Sequence, residues 1–259
     1  MLVVTEAIVL HSFDYLESSR ILRLVTRDVG VRSVLARGAR RSSRRFGTAL
    51  DLYAQGTAEL HTKPGRDLDT LGGFDVTRAR PQLAGELRRF TGASAIAELT
   101  LRFAGDAADP GLFTAVADAL DAIGIASSGA AREATLAGAW RVLAELGVAP
   151  VIDACAECHT GLADDAAALF SHPAGGVLCA RCARLVARGG RSIPAAARAA
   201  LRGWLTGDAI TLPGDADVRA HQRLLREFLH EHLGDGRDLR AFDVWEQSAW
   251  DAAPTETRA

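Results

Sequence analysis

Lysine is all but missing from this chain. Lys63 stands alone among 259 residues, so any contact with a polyanion falls to arginine, whose planar fork grips phosphate with paired hydrogen bonds. Long apolar runs are missing too. Nothing approaches the ~18 consecutive apolar residues of a membrane span, and no membrane association is expected. No basic leader precedes an apolar core near Met1, and Glu6 and Asp14 come early, so no secretory signal is expected. A phosphate-cradling loop of the GxxxxGK[ST] kind is absent. No Ser-His-Asp order or pair of catalytic carboxylates can be argued from the linear chain, and catalytic residues are expected to be none. His221, His230 and His232 fall close together, yet His230 and His232 are two apart on a helix and diverge.

Cysteine is scarce but ordered. The four cysteines form two matched pairs, Cys155-Ala-Glu-Cys158 and Cys179-Ala-Arg-Cys182, twenty residues apart. A two-residue gap lets successive thiolates of one tight turn face a common ion, and four sulfurs close a tetrahedron. A filled four-thiolate site has no open position for water, so the reading is one structural Zn(2+), with iron as the chemical alternative. A redox dithiol would instead place one pair near a βαβ pattern. With every cysteine in a metal-like pair, a reducing, cytoplasmic setting is expected.

The overall charge of −2 conceals a division. Residues 1–80 hold 13 Lys/Arg against 9 Asp/Glu, whereas the remainder holds 17 against 23. From Arg20 to Arg45 nine arginines face a single acid, Asp28. Such a one-signed concentration exceeds what solubility needs and points to nucleic acid. Arg37, Arg40, Arg41, Arg44 and Arg45 are expected in and around a loop, able to reach several phosphates without sequence preference; Arg20, Arg23, Arg27 and Arg32 would extend the path. Single-strand binding also uses aromatic faces. Phe13, Tyr15, Phe46, Tyr53 and Phe74 are the candidates nearby, and Phe46, beside the arginines, is the first choice.

Residues 1–80 read as five strands, over Thr5–His11, Arg20–Thr26, Val31–Arg37, Ala49–His61 and Leu71–Val76, parted by glycine- and proline-bearing turns. That pattern suits an OB-fold barrel. Ile21-Leu22 and Leu24-Val25 are adjacent apolar pairs, which predicts a strand apolar on both faces and packed on another domain. From Pro81 the spacing turns helical. The expected organisation is α+β: a barrel over 1–80, a helical domain over 81–147 and 188–250, an inserted four-cysteine module over 148–187, and a tail over 251–259.

These stretches, in order, resemble the RecO family. The resemblance is carried by Glu6-Ala7-Ile8-Val9-Leu10, Glu17-Ser18-Ser19-Arg20, Leu24-Val25-Thr26-Arg27 to Gly30, and Ala36-Arg37-Gly38-Ala39-Arg40. Further along come Gly147-Val148-Ala149-Pro150, Phe170-Ser171, Gly175-Gly176, Leu224-Leu225-Arg226, His232-Leu233-Gly234 and Leu239-Arg240. It implies an N-terminal OB-fold, a helical domain and a zinc module. It also implies binding of single- and double-stranded DNA, annealing of complementary strands, and action with RecR to help RecA load where single-strand-binding protein covers the strand, without covalent chemistry. His159 departs from the pattern, standing where many relatives carry glycine. Arg132, Arg141, Arg198 and Arg202 are candidate parts of a basic pocket for an acidic partner peptide. The rival reading is a zinc-ribbon protein that binds RNA or a transcription complex.

Overall fold

The computed structural model describes residues 1–39, 46, 50–63, 65, 67–185, 190–233 and 238–247. Five strands close a barrel: β1 (Leu2–Tyr15), β2 (Ser19–Thr26), β3 (Gly30–Ala36), β4 (Gln55–His61) and β5 (Asp69–Arg78), in the order β1-β2-β3-β5-β4. Every neighbouring pair is antiparallel except β3 and β5, which run parallel and seal the barrel through Val34 opposite Asp69 and Leu35 opposite Thr70. This is the OB order. The expected fourth strand begins late. Tyr53 takes a left-handed φ of 67°, and the chain straightens into β4 only at Gln55.

Two apolar cores meet in the sheet. Val9, Leu22, Leu24, Val34, Ala58, Leu60 and Leu71 fill the barrel. Their sequence neighbours Ile8, Leu10, Val25 and Val31 point outward into the main core, built by the helices. The apolar pair Leu24-Val25 of β2 therefore serves both cores, because successive residues of a strand face opposite sides, whereas in Ile21-Leu22 only Leu22 is buried in a core.

The helical domain packs α1 (Leu87–Phe103), α2 (Pro110–Ile125) and α3 (Ala131–Glu145), later joined by α5 (Ala195–Thr206), α6 (Asp215–Leu233) and α7 (Arg240–Gln247). The break at Asp109-Pro110 is a helix start: Asp109 accepts from the N–H of Leu112 at 2.9 Å, and Pro110 sits where no helical N–H is needed. Gly147, at φ +77°, ends α3 in the left-handed conformation that glycine adopts without strain. The helix α7 turns Phe242 and Trp245 into the main core. Between α3 and α5 lies a small sheet, β7 (Gly176–Leu178), β6 (Ala168–Ser171) and β8 (Gly190–Ile193) in that order, with the short α4 (Ala180–Ala183) beside it. Because β8 pairs with β6, this sheet runs past residue 187 to Ile193. Among the described residues no helix is long and apolar enough to cross a membrane.

Barrel and helices are welded at two points. Gly30, at φ +68°, lies so close to the chain at Asp106 and Ala107 that a β-carbon would meet the Ala107 oxygen at 2.5 Å, so only glycine fits. At the other point the Arg80 side chain, 0 % exposed, donates to Asp121 at 2.7 Å, the Tyr53 carbonyl at 2.9 Å, Gln55 at 2.9 Å and the Ala117 carbonyl at 3.5 Å.

Candidate metal centre and nucleic-acid interface

The four cysteines converge. Their sulfurs all lie within 4.8 Å of one another, and those of Cys158 and Cys179 are 3.8 Å apart. Thiolates about 2.3 Å from a tetrahedral ion must stand about 3.8 Å from each other, so the cluster fits such an ion. Two tight turns deliver them. In the first, the Cys155 N–H bonds the Thr160 carbonyl and the His159 N–H bonds the Cys155 carbonyl, both at 2.8 Å, while the Ala156 N–H reaches Val177 of β7 at 2.8 Å. His159 closes that turn with φ +57°, a left-handed conformation that glycine adopts without strain. In the second, Cys179 caps α4 and its sulfur accepts from the Cys182 N–H at 3.5 Å.

The thiols are electrostatically unequal. The Thr160 hydroxyl, 3.3 Å from the Cys158 sulfur, and the Thr160 backbone hold that thiol down at about 6. Burial and the neighbouring sulfurs push Cys182 up to about 12. A cation is what would let all four lose their protons together, and none of them is in a disulfide.

Arginines bolt this module to the helices. Arg198, 0 % exposed, donates to the Ala163 carbonyl, and Arg202 pairs with Asp153 at 2.5 Å and Asp164 at 3.0 Å. Arg132, 6 % exposed, pairs with Asp215 at 2.7 Å; Arg141 binds the Leu205 carbonyl at 3.0 Å and Glu145 at 2.7 Å. The four arginines expected to form a pocket for an acidic peptide thus each meet an acceptor within the chain, and Arg132 and Arg198 are buried.

The basic stretch divides in the same way. Arg27 pairs with Glu6 at 2.6 Å and lies over the Phe113 ring at 4.9 Å. Arg23 donates to the Leu101 carbonyl at 3.0 Å, and Arg32 to the carbonyls of Val29 and Asp106 at 2.7 and 3.2 Å. These three tie the barrel to itself and to the helices rather than forming a free track. Arg20 stands 3.4 Å from Asp14 on the β1–β2 hairpin. Arg37 is exposed just past the end of β3. Arg40, Arg41, Arg44 and Arg45 lie outside the described residues. Phe46 is corrected: it is 3 % exposed and packs in the barrel core. Tyr53 and Phe74 are likewise buried, whereas Phe13 and Tyr15 are exposed on β1.

Two family models match in succession: Recombination protein O N terminal over residues 1–80, and Recombination protein O C terminal over residues 84–240. Their junction falls at Arg80 and the short 3-10 turn Pro81–Leu83 that follows it. The chain is 35% identical over 240 residues to a protein of Anaeromyxobacter sp. (strain Fw109-5) named DNA repair protein RecO, covering 91% of this chain and 93% of that one. Proteins of the same name from Nocardioides sp. (strain ATCC BAA-499 / JS614) and Myxococcus xanthus are 31% and 30% identical, over 93% and 95% of this chain and 99% and 98% of theirs. With both models matched in order on the barrel and on the helices with their four-cysteine module, the chain belongs to the RecO family.

Proposed function

We propose that this chain is a DNA-binding recombination mediator that acts without covalent chemistry. Its barrel, residues 1–80, binds single- and double-stranded DNA through arginine, and its helical domain, residues 81–147 and 188–250, offers surfaces to proteins. The four-cysteine module, expected over residues 148–187 and carried by its sheet to Ile193, is a scaffold held by one zinc ion on Cys155, Cys158, Cys179 and Cys182, a full thiolate set that leaves no position for reactive water. The tail expected over 251–259 lies outside the described residues. Bound guanidinium groups offset the repulsion between two complementary strands, so pairing proceeds without fuel. In this reading the protein acts in the cytoplasm with RecR, helping RecA load on strands covered by single-strand-binding protein.

The observation that carries the reading is the arginine concentration placed in one connection of an OB barrel. The chain leaves β3 at Arg37, which is exposed, and runs through Arg40, Arg41, Arg44 and Arg45 before it re-enters the barrel. With Arg23, Arg27 and Arg32 engaged internally, that connection is where phosphate contacts are expected. Replacing Arg40, Arg41 and Arg44 together by alanine should weaken binding to labelled single strands. It should also flatten the log–log salt slope by up to about 0.7 per lost contact. An unaltered chain that neither retains single-stranded DNA at low salt nor speeds annealing would overturn the proposal.

A further inference from the structure

Resting on that DNA-binding reading, we propose that Phe13 and Tyr15 form a base-stacking platform for single-stranded DNA on the bare outer face of the barrel. The face is set by a bulge. Val9 lies in the barrel core and pairs with Leu24, but the register then slips, so that His11 pairs with Arg23, Phe13 with Ile21 and Tyr15 with Ser19. Residues directly opposite in an antiparallel pair share a face. Leu22 and Leu24 point into the barrel, so Ile21 and Arg23 point out, and His11, Phe13 and Tyr15 point out with them.

The outer face is half covered. Toward the helices, Ile8, Leu10, Val25 and Val31 are buried in the main core. Beyond Leu10 that cover stops, and Phe13 and Tyr15 are left 43 % and 41 % exposed. The Phe13 row continues across three strands through Ile21 to Leu35, both half-buried. A ring every second residue, about 6.8 Å apart along a strand, is a spacing that an extended single strand can meet with one base on each ring.

Charge decides which occupant suits an apolar strip. At the His11 end the strip opens into a cleft of about 780 Å³ between barrel and helices, lined by Glu98 and by Arg23, Arg102 and Arg240, of which Arg23 and Arg102 are held on the carbonyls of Leu101 and Asp238. At the other side of the sheet β3 ends beside Arg37, which is exposed. Aromatic faces with Arg240 at one end and Arg37 at the other match a polyanion whose bases are splayed out. A duplex, whose bases already stack on each other, has no use for the rings. The platform therefore discriminates strand form, whereas the arginines serve both.

The test replaces each ring by leucine, which keeps apolar cover over Ile21 and Leu35 but removes the aromatic face. Phe13→Leu and Tyr15→Leu should each lower affinity for a labelled single-stranded oligonucleotide about tenfold. The salt slope and the affinity for the matching duplex should not change, and Phe13→Tyr should bind as the unaltered chain does. An oligonucleotide carrying 5-iododeoxyuridine should cross-link under ultraviolet light to Phe13 or Tyr15, located by mass spectrometry. Equal single-strand binding by the leucine variants, or equal losses on single strand and duplex, would overturn the platform alone. Failure of the unaltered chain to bind either form would overturn the DNA-binding reading first and the platform with it.

Discussion

The sulfurs of Cys158 and Cys179 stand 3.8 Å apart, one from each turn of the four-cysteine module, with no disulfide between them. That separation suits two corners of a tetrahedron around one ion and is far longer than a covalent S–S bond. Cys179→Ser, or a strong chelator, should therefore release one metal ion per chain, lower the melting temperature and speed proteolysis within residues 148–187. A purified chain without metal and with full stability would contradict this.

His159 holds a left-handed φ of +57° in the first of those turns. A side chain there carries a cost of about 1 kcal/mol that glycine avoids. His159→Gly should raise the melting temperature by about 2–4 °C and leave metal content unchanged. A lower melting temperature would mean that the imidazole makes a contact worth more than the strain.

Arg80 reaches four acceptors drawn from the approach to β4, from β4 itself and from α2. Arg80→Ala would strand the buried carbonyls of Tyr53 and Ala117, and should lower the free energy of urea unfolding by about 3 kcal/mol. Arg80→Lys should fall between the two, because a single ammonium cannot serve acceptors spread around a planar fork. A loss below about 1 kcal/mol would show that the Arg80 contacts contribute little to the junction beside its apolar packing and the bonds of Arg23 and Arg32.

His221 is buried edge-on to Trp204, ring centroids 4.8 Å apart, and neither ring nitrogen has a hydrogen-bond partner among the described residues. Burial lowers its pKa from 6.5 to about 4, against a weaker opposing pull from Asp217. The folded value lies below the unfolded one, so acid favours unfolding. This residue's contribution is fully present above about pH 6.5 and is lost as pH falls toward 4, a loss of about 3 kcal/mol. His172, also lowered by burial, adds in the same direction. His221→Leu should flatten the pH dependence of unfolding in that window but leave the part due to His172. An unchanged slope would place the acid sensitivity elsewhere.

Much of this was legible in the residues themselves. The Cys-x-x-Cys pairs state their geometry through spacing alone, and the pair Leu24-Val25 of β2 announced a stretch buried on both faces, though the pair Ile21-Leu22 is buried on one. Other features depend on partners that a linear chain does not name. The charges of Arg23, Arg27, Arg132 and Arg198 were visible, but not the carbonyls and carboxylates that occupy them, which come from segments distant in sequence. Phe46 sits among arginines in sequence yet in the barrel core in space. The outward rings were hidden by the bulge at Leu10. Strict alternation counted from the buried Val9 turns His11, Phe13 and Tyr15 inward, and one extra residue reverses all three.

The parallel seam between β3 and β5 also governs the order of assembly. The first three strands are joined by short turns and can zip together from neighbours, whereas closure joins positions about thirty-five residues apart at the seam, through two opposed pairs, and about 47 to 59 apart between β1 and β4. The whole arginine-bearing connection lies inside the span that this late event encloses. A nascent chain therefore pairs its first three strands before the barrel closes, and substitutions at Asp69 or Thr70 should slow that closure, read as slower refolding after dilution from urea.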